Sequence, residues 1–245
     1  IAARSVFPGF DEPSFRASFT ITVTAPSSYE VVSNMPVKSR DAQGAATRWQ
    51  FAPTPPMPTY LVAVSVGQFD SLEDSVDGIP LRILTAKGKQ ADARYAMDVT
   101  KQVLPFFREY FGVPYALPKL DQIAVPGVRN GAMEDWGIIS YIEPTLLYDP
   151  AKSSIETKQG VFGVIAHEVA HQWWGGQIRP AWAKGRAFVS ESLSNYSAMM
   201  VTEKVLGAAE ARRVYDYQME RYLTRRAETG DDVALLEVDE HPHVA

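Results

Sequence analysis

Along the first seventy residues apolar and polar positions alternate. Phe19, Ile21 and Val23 interleave with Thr20, Thr22 and Thr24, the two-residue period of a strand with one buried face. A second strand is expected over residues 60 to 66, after the turn-forming run Pro53-Thr54-Pro55-Pro56-Met57-Pro58. The polar stretch from 70 to 78 then reads as a domain boundary. Beyond it the period lengthens. Val99, Val103, Phe106, Phe107 and Tyr110 recur at helical spacing over residues 91 to 111, with Pro105 as an expected kink. Residues 121–125 and 137–142 read as strands on either side of a loop over 127–136. Three helical segments follow, near 155–175, 187–205 and 208–227, and no internal repeat is present.

Composition narrows the class without naming it. A chain of 245 residues, 46% hydrophobic and 22% charged, suits one large domain or two modest ones. A net charge of -5 with no run of Lys or Arg excludes a nucleic-acid partner. No apolar stretch approaches the roughly 20 residues of a membrane span. The absence of cysteine excludes disulfide and thiol chemistry but fits any compartment. Ile1-Ala2-Ala3-Arg4 carries neither an initiator Met nor a signal-peptide pattern, and reads as a cut inside a longer protein. Localisation stays open; a soluble protein of the bacterial cytoplasm or periplasm is the expectation.

One stretch carries chemistry. His167-Glu168-Val169-Ala170-His171 is an H-E-x-x-H pattern. On a helix, positions four apart share a face, so both imidazoles can reach one zinc ion. Glu168 lies beside the metal rather than on it, where it can take a proton from a water that zinc has acidified. Val161, Phe162, Val164 and Ile165 make the preceding turns apolar, as a buried site requires. A catalytic zinc needs a third protein ligand. Glu191 is the candidate, on a helix whose Phe188, Leu193 and Tyr196 can pack on the first; the competing reading is an exposed helix-start Glu behind a Ser190 N-cap. His241 and His243, either side of Pro242, are the alternative ligands.

With these residues in place the chain resembles the gluzincin aminopeptidases, the family of alanyl and leucyl aminopeptidases and leukotriene hydrolase. Phe7-Pro8-Gly9-Phe10-Asp11-Glu12-Pro13 and Val32-Ser33-Asn34-Met35-Pro36 look like the end of that family's N-terminal β-domain. Gly131-Ala132-Met133-Glu134-Asp135 is close to its G-A-M-E-N exopeptidase motif, and Leu146-Leu147-Tyr148-Asp149-Pro150 and residues 167–175 follow at the expected distances. The resemblance implies an α+β fold: residues 1–70 as the C-terminal part of an N-terminal β-domain, residues 71–245 as a thermolysin-like zinc peptidase domain truncated at its C-terminal end. It implies that Glu134 binds the free α-amine of a peptide substrate, with Gly131, Ala132 and Met133 along the substrate edge. It implies one Zn2+ on His167, His171 and Glu191, and a C-terminal helical domain missing from this chain.

Three departures stand out. Asp135 replaces the motif's Asn. Nineteen residues rather than eighteen separate His171 from Glu191, a surplus that an insertion in the loop after Gly175 would absorb. The usual Asn-Asp-Leu-Trp-Leu-Asn-Glu-Gly is Lys184-Gly185-Arg186-Ala187-Phe188-Val189-Ser190-Glu191, a Ser-Glu-Ser version like a divergent bacterial branch, without the usual outer carboxylate. The family's oxyanion-binding tyrosine has no counterpart stretch here. Tyr196 is too close to Glu191, and Tyr215, Tyr217 and Tyr222 read as half-exposed structural residues. The expectation is therefore a zinc aminopeptidase chain of low activity. An epoxide hydrolase or endopeptidase on the same scaffold, or a zinc-binding domain without activity, are the alternatives.

Overall fold

The computed structural model describes residues 3–127, 131–178 and 188–230. Phe19, Ile21 and Val23 are half-buried and the threonines between them exposed, as the alternation requires. The ladder itself begins at Thr22, where β1 (Thr22–Pro26) joins β3 (Val37–Gln43) and β4 (Ala46–Phe51) in an antiparallel sheet of order β1-β4-β3. Between them in sequence, β2 (Glu30–Ser33) pairs antiparallel with β5 (Val64–Gly67).

The strand expected over residues 60–66 starts later than its pattern suggests. Thr59–Leu61 is a 3₁₀ turn after Pro58. The Asn34 side chain then occupies backbone groups a ladder would use: its Nδ2 donates to the Leu61 carbonyl at 2.6 Å, and its Oδ1 accepts from Ala63 N at 3.0 Å.

The central sheet has five strands: β6 (Phe69–Val76), β7 (Ile79–Ala86), β8 (Leu120–Val125), β9 (Ala132–Met133) and β10 (Ile138–Ile142), in the order β6-β7-β8-β10-β9. The polar stretch from 70 to 78 is the outer strand β6 and its turn. Asp77 and Gly78, at φ 52° and 78°, are both left-handed, as a two-residue hairpin turn of type I′ needs. Between the parallel strands β7 and β8 the chain crosses over through α1 (Arg94–Phe111), which buries Met97, Val99, Val103, Leu104 and Phe107. Phe106 is half-buried, while Tyr110 lies outside that stripe, 47% exposed and stacked on Phe106.

β8 is buried on both faces, which explains its nearly continuous run of buried residues. One face packs on α1 and α3 (Ile155–His171), which follows a single turn, α2 (Glu143–Leu146). The other face packs on β2, through Val32 against Leu84, Ile123 and Ile138. Charges on that second face are paired: Arg82 bonds Glu30 at 2.7 Å and Asp121 at 2.8 Å, and Lys119 bonds Asp121 at 2.9 Å. Helices α4 (Leu193–Leu206) and α5 (Ala208–Thr229) complete the described chain, and no described helix is long and apolar enough to cross a membrane.

Candidate metal centre

Helix α3 starts at the N-cap Ser154, whose hydroxyl accepts from Thr157 N at 3.2 Å. Its apolar face, with Val161, Phe162, Ile165, Ala166 and Val169, is fully buried. The last turn brings His167 and Glu168 to the wall of an open cleft of about 880 Å3, with His171 buried behind them. Gly160 and Gly163, three apart on the cleft-facing side, have no atom within 4 Å of a would-be Cβ, so the helix presents a bare floor there.

His167 Nε2 and His171 Nε2 lie 2.9 Å apart, with Glu191 oxygens at 3.4 Å from the first and 3.7 Å from the second. Zinc holds nitrogen and oxygen ligands at about 2.0–2.1 Å, so two ligands of a tetrahedral ion stand about 3.3 Å apart. The three separations straddle that value. Two neutral imidazoles and a carboxylate are also the donor chemistry that suits zinc. The residues present therefore fit the ion. Burial works against the ionised form of Glu191, but the two imidazoles outweigh it and hold the carboxyl well below the usual range. Burial likewise opposes charging His171, but hydrogen bonding to Glu191 and the nearby carboxylates of Glu134 and Glu168 push its pKa up to about 9.

Glu191 sits in a π turn, Phe188–Ser192, leading into α4. Ser190 is consequently not the N-cap of a helix. Its hydroxyl lies 3.2 Å from His171 Nδ1, and the Trp174 carbonyl accepts at the same nitrogen at 3.1 Å. With Nδ1 occupied as donor, Nε2 is left as the metal-facing acceptor. The pattern Ser-Glu-Ser concealed this role, because an α-helical reading puts Ser190 at a cap. Lys184, Gly185, Arg186 and Ala187, and the alternative ligands His241 and His243, lie outside the described residues.

Glu168 is 6% exposed, with Oε2 lacking any hydrogen-bond partner among the described residues. Burial raises its pKa well above the carboxylate range; His171 opposes this, and Glu134, Glu191 and Asp135 add to it. Glu134, on the loop after β9, comes together with Glu168 and His171: one ligand atom from each lies within 4.8 Å of the others. Gly131 and Ala132 line the cleft, whereas Met133 is not among its lining residues and pairs with Ser140 in the β9–β10 ladder. Asp135 is buried, accepts from Ser140 Oγ at 2.9 Å, and has its pKa raised to about 8, chiefly by burial and also by Glu134. Tyr196, Tyr215 and Tyr217 line the cleft and are about half exposed, 50%, 42% and 54%; Tyr222 is not among its lining residues.

The chain is similar in sequence to known aminopeptidases. Aminopeptidase N of Acetobacter pasteurianus is 42% identical over 182 residues, covering 74% of this chain and 51% of that protein. Aminopeptidase M1-A of Oryza sativa subsp. japonica is 46% identical over 181 residues, 74% of this chain and 21% of the relative. Human glutamyl aminopeptidase is 46% identical over 182 residues, with 74% and 19% covered. The chain thus spans about half the length of the first relative and about a fifth of the other two. The peptidase M1 N-terminal domain matches residues 1–61 and the peptidase family M1 domain residues 95–240. A match over more than half of the chain, residues 95–240, which include the H-E-x-x-H helix, makes it a member of peptidase family M1.

Proposed function

We propose that this chain is the zinc-binding, catalytic part of an aminopeptidase that releases N-terminal residues from peptides. The observation that carries the reading is the convergence of His167, His171 and Glu191 at ligand separations beside a buried Glu168, with the Glu134 carboxylate within 4.8 Å of the Glu168 and His171 ligand atoms. His167, His171 and Glu191 would hold one Zn2+. Bound there, zinc supplies Lewis acidity, polarising the scissile carbonyl and lowering the pKa of water.

The protein residues do the rest. Glu168 accepts a proton from the attacking water and returns it to the leaving nitrogen; burial raises its pKa, so it holds that proton more readily than an exposed carboxylate would. Glu134 pairs with the substrate's α-ammonium, one residue from the bond to be cut, which fixes the register of the peptide and requires a free N-terminus. Gly131 and Ala132 flank the same cleft with little side-chain bulk. In this reading residues 1–70 belong to the preceding β-domain and residues 71–245 to the peptidase domain.

Zinc content and turnover test it together. The protein should bind about one zinc per chain, lost in His171→Ala, and should cleave a free-amine substrate but not its N-acetylated form. In Glu134→Ala, metal content should hold while kcat/KM on free-amine substrates falls by about 2–4 kcal/mol, the usual cost of removing a buried charged partner. Equal cleavage of free and acetylated substrates would replace this reading with an endopeptidase.

A further inference from the structure

The loop that carries Glu134 is gripped from two sides. From the β2–β5 side, Asn34 Nδ2 donates to the Trp136 carbonyl at 2.9 Å, and Lys119 Nζ donates to the Gly137 carbonyl at 2.8 Å. From the metal side the contact runs through Gln172. Gln172, the C-cap of α3 and the residue after His171, is fully buried. Its Oε1 accepts from Gly137 N at 3.1 Å, and its Nε2 donates to the Glu134 carbonyl at 3.3 Å. One amide thereby closes the turn from 134 to 137 and ties it to the helix that bears both histidines.

We propose that Gln172 is a positioning residue: it fixes the distance between the Glu134 carboxylate and the metal-binding histidines, and so sets how strongly a substrate α-amine is rewarded. This rests on the reading of Glu134 as the amine anchor. Charge pairing between an ammonium and a carboxylate depends steeply on placement, and shifts of about 1 Å in a positioned group cost on the order of 100-fold in favourable cases. Without Gln172 the loop keeps its grip on Asn34 and Lys119 but loses both bonds to the end of α3 that this side chain makes. The fold and the three ligands therefore survive its removal, while the amine preference does not.

The test compares two probes on the zinc-loaded chain: leucine hydroxamate, and 4-methylpentanohydroxamate, which lacks the amine. Calorimetry gives the ratio of their dissociation constants. In the wild type the amine-bearing probe should bind more tightly. In Gln172→Met, of similar volume but without either bond, the ratio should fall about tenfold, with zinc near one per chain and the affinity for 4-methylpentanohydroxamate unchanged. Gln172→Asn keeps an amide one carbon too short to span both groups; it should behave alike, and it decides the matter if the Met variant does not fold. A ratio unchanged in the folded variant overturns the proposal. So does loss of zinc in step with the ratio, since Gln172 would then act on the metal site itself. Equal affinity of the wild type for both probes removes the amine-anchor reading, and this inference with it.

Discussion

At Asp135, burial and a neighbouring carboxylate keep a proton on an acid that would otherwise be ionised at neutral pH. The folded pKa is about 8 and the ordinary one 3.8. A carboxyl raised in this way favours the folded state fully below about pH 4, because folded and unfolded chains are then both protonated. The advantage drains away as pH rises to 8, where the native group must also ionise. Asp135→Asn should therefore match the wild type in urea stability near pH 4 when zinc is removed with a chelator. It should exceed it increasingly up to pH 8, by several kcal/mol (on the order of 5), as a pKa raised from 3.8 to about 8 requires; a pH-independent difference would contradict this. Ser190 offers a second residue-level check. Ser190→Ala leaves the Trp174 carbonyl on His171 Nδ1, so zinc affinity measured by chelator competition should fall about tenfold rather than vanish. The two residues differ in how much the chain disclosed. His167 and His171 were readable because their partner lies four positions away on one helix. The value of Ser190 was not, because its contact with His171 depends on a π turn that no local pattern announces.

Helix α3 shows why elements with a buried face are legible and those without one are not. Its apolar positions face the sheet and α1, and its termination turns on Trp173, fully buried among Phe107, Phe111 and Tyr115, whose Nε1 donates to the Val113 carbonyl at 3.0 Å. That collar fixes the pitch of the turn bearing His171. Trp173→Ala should cost about 3–5 kcal/mol in urea unfolding, and Trp173→Phe, which keeps most of the contacts, clearly less. The outer strand β6 left no such trace. Phe69, Leu72 and Val76 are its only apolar residues, and its extended form comes from eight paired positions on β7 rather than from its own alternation. The late start of β5 was hidden for a similar reason: residues 60 to 63 carry strand-forming side chains, but Asn34 claims their backbone.

At the scale of the molecule, the β2–β5 layer is part of what shapes the cleft. Asn34 reaches Leu61, Ala63 and Trp136, and Lys119 reaches Ser33, Asp121 and Gly137, so the first strands and the Glu134 loop share buried bonds. Gly137 adds a steric lock. It sits at φ 84°, and a Cβ there would come 2.5 Å from the Asn34 carbonyl oxygen. Asn34→Leu would orphan three backbone groups at once and should lower urea stability by about 2–4 kcal/mol, with wild-type-like unfolding the result that speaks against a shared layer. The five-stranded sheet has a further consequence at its margins. One rim, β6, presents Asp70, Glu73 and Asp74; the other, β9, is two residues long. A neighbouring chain seeking to add a strand to this sheet meets charged pairs, Asp70 with Lys87 and Asp74 with Lys101, on one side and almost no backbone on the other. The five-stranded sheet should then resist the edge-to-edge strand addition that leads to fibres, even though its central strands are among the chain's most apolar segments.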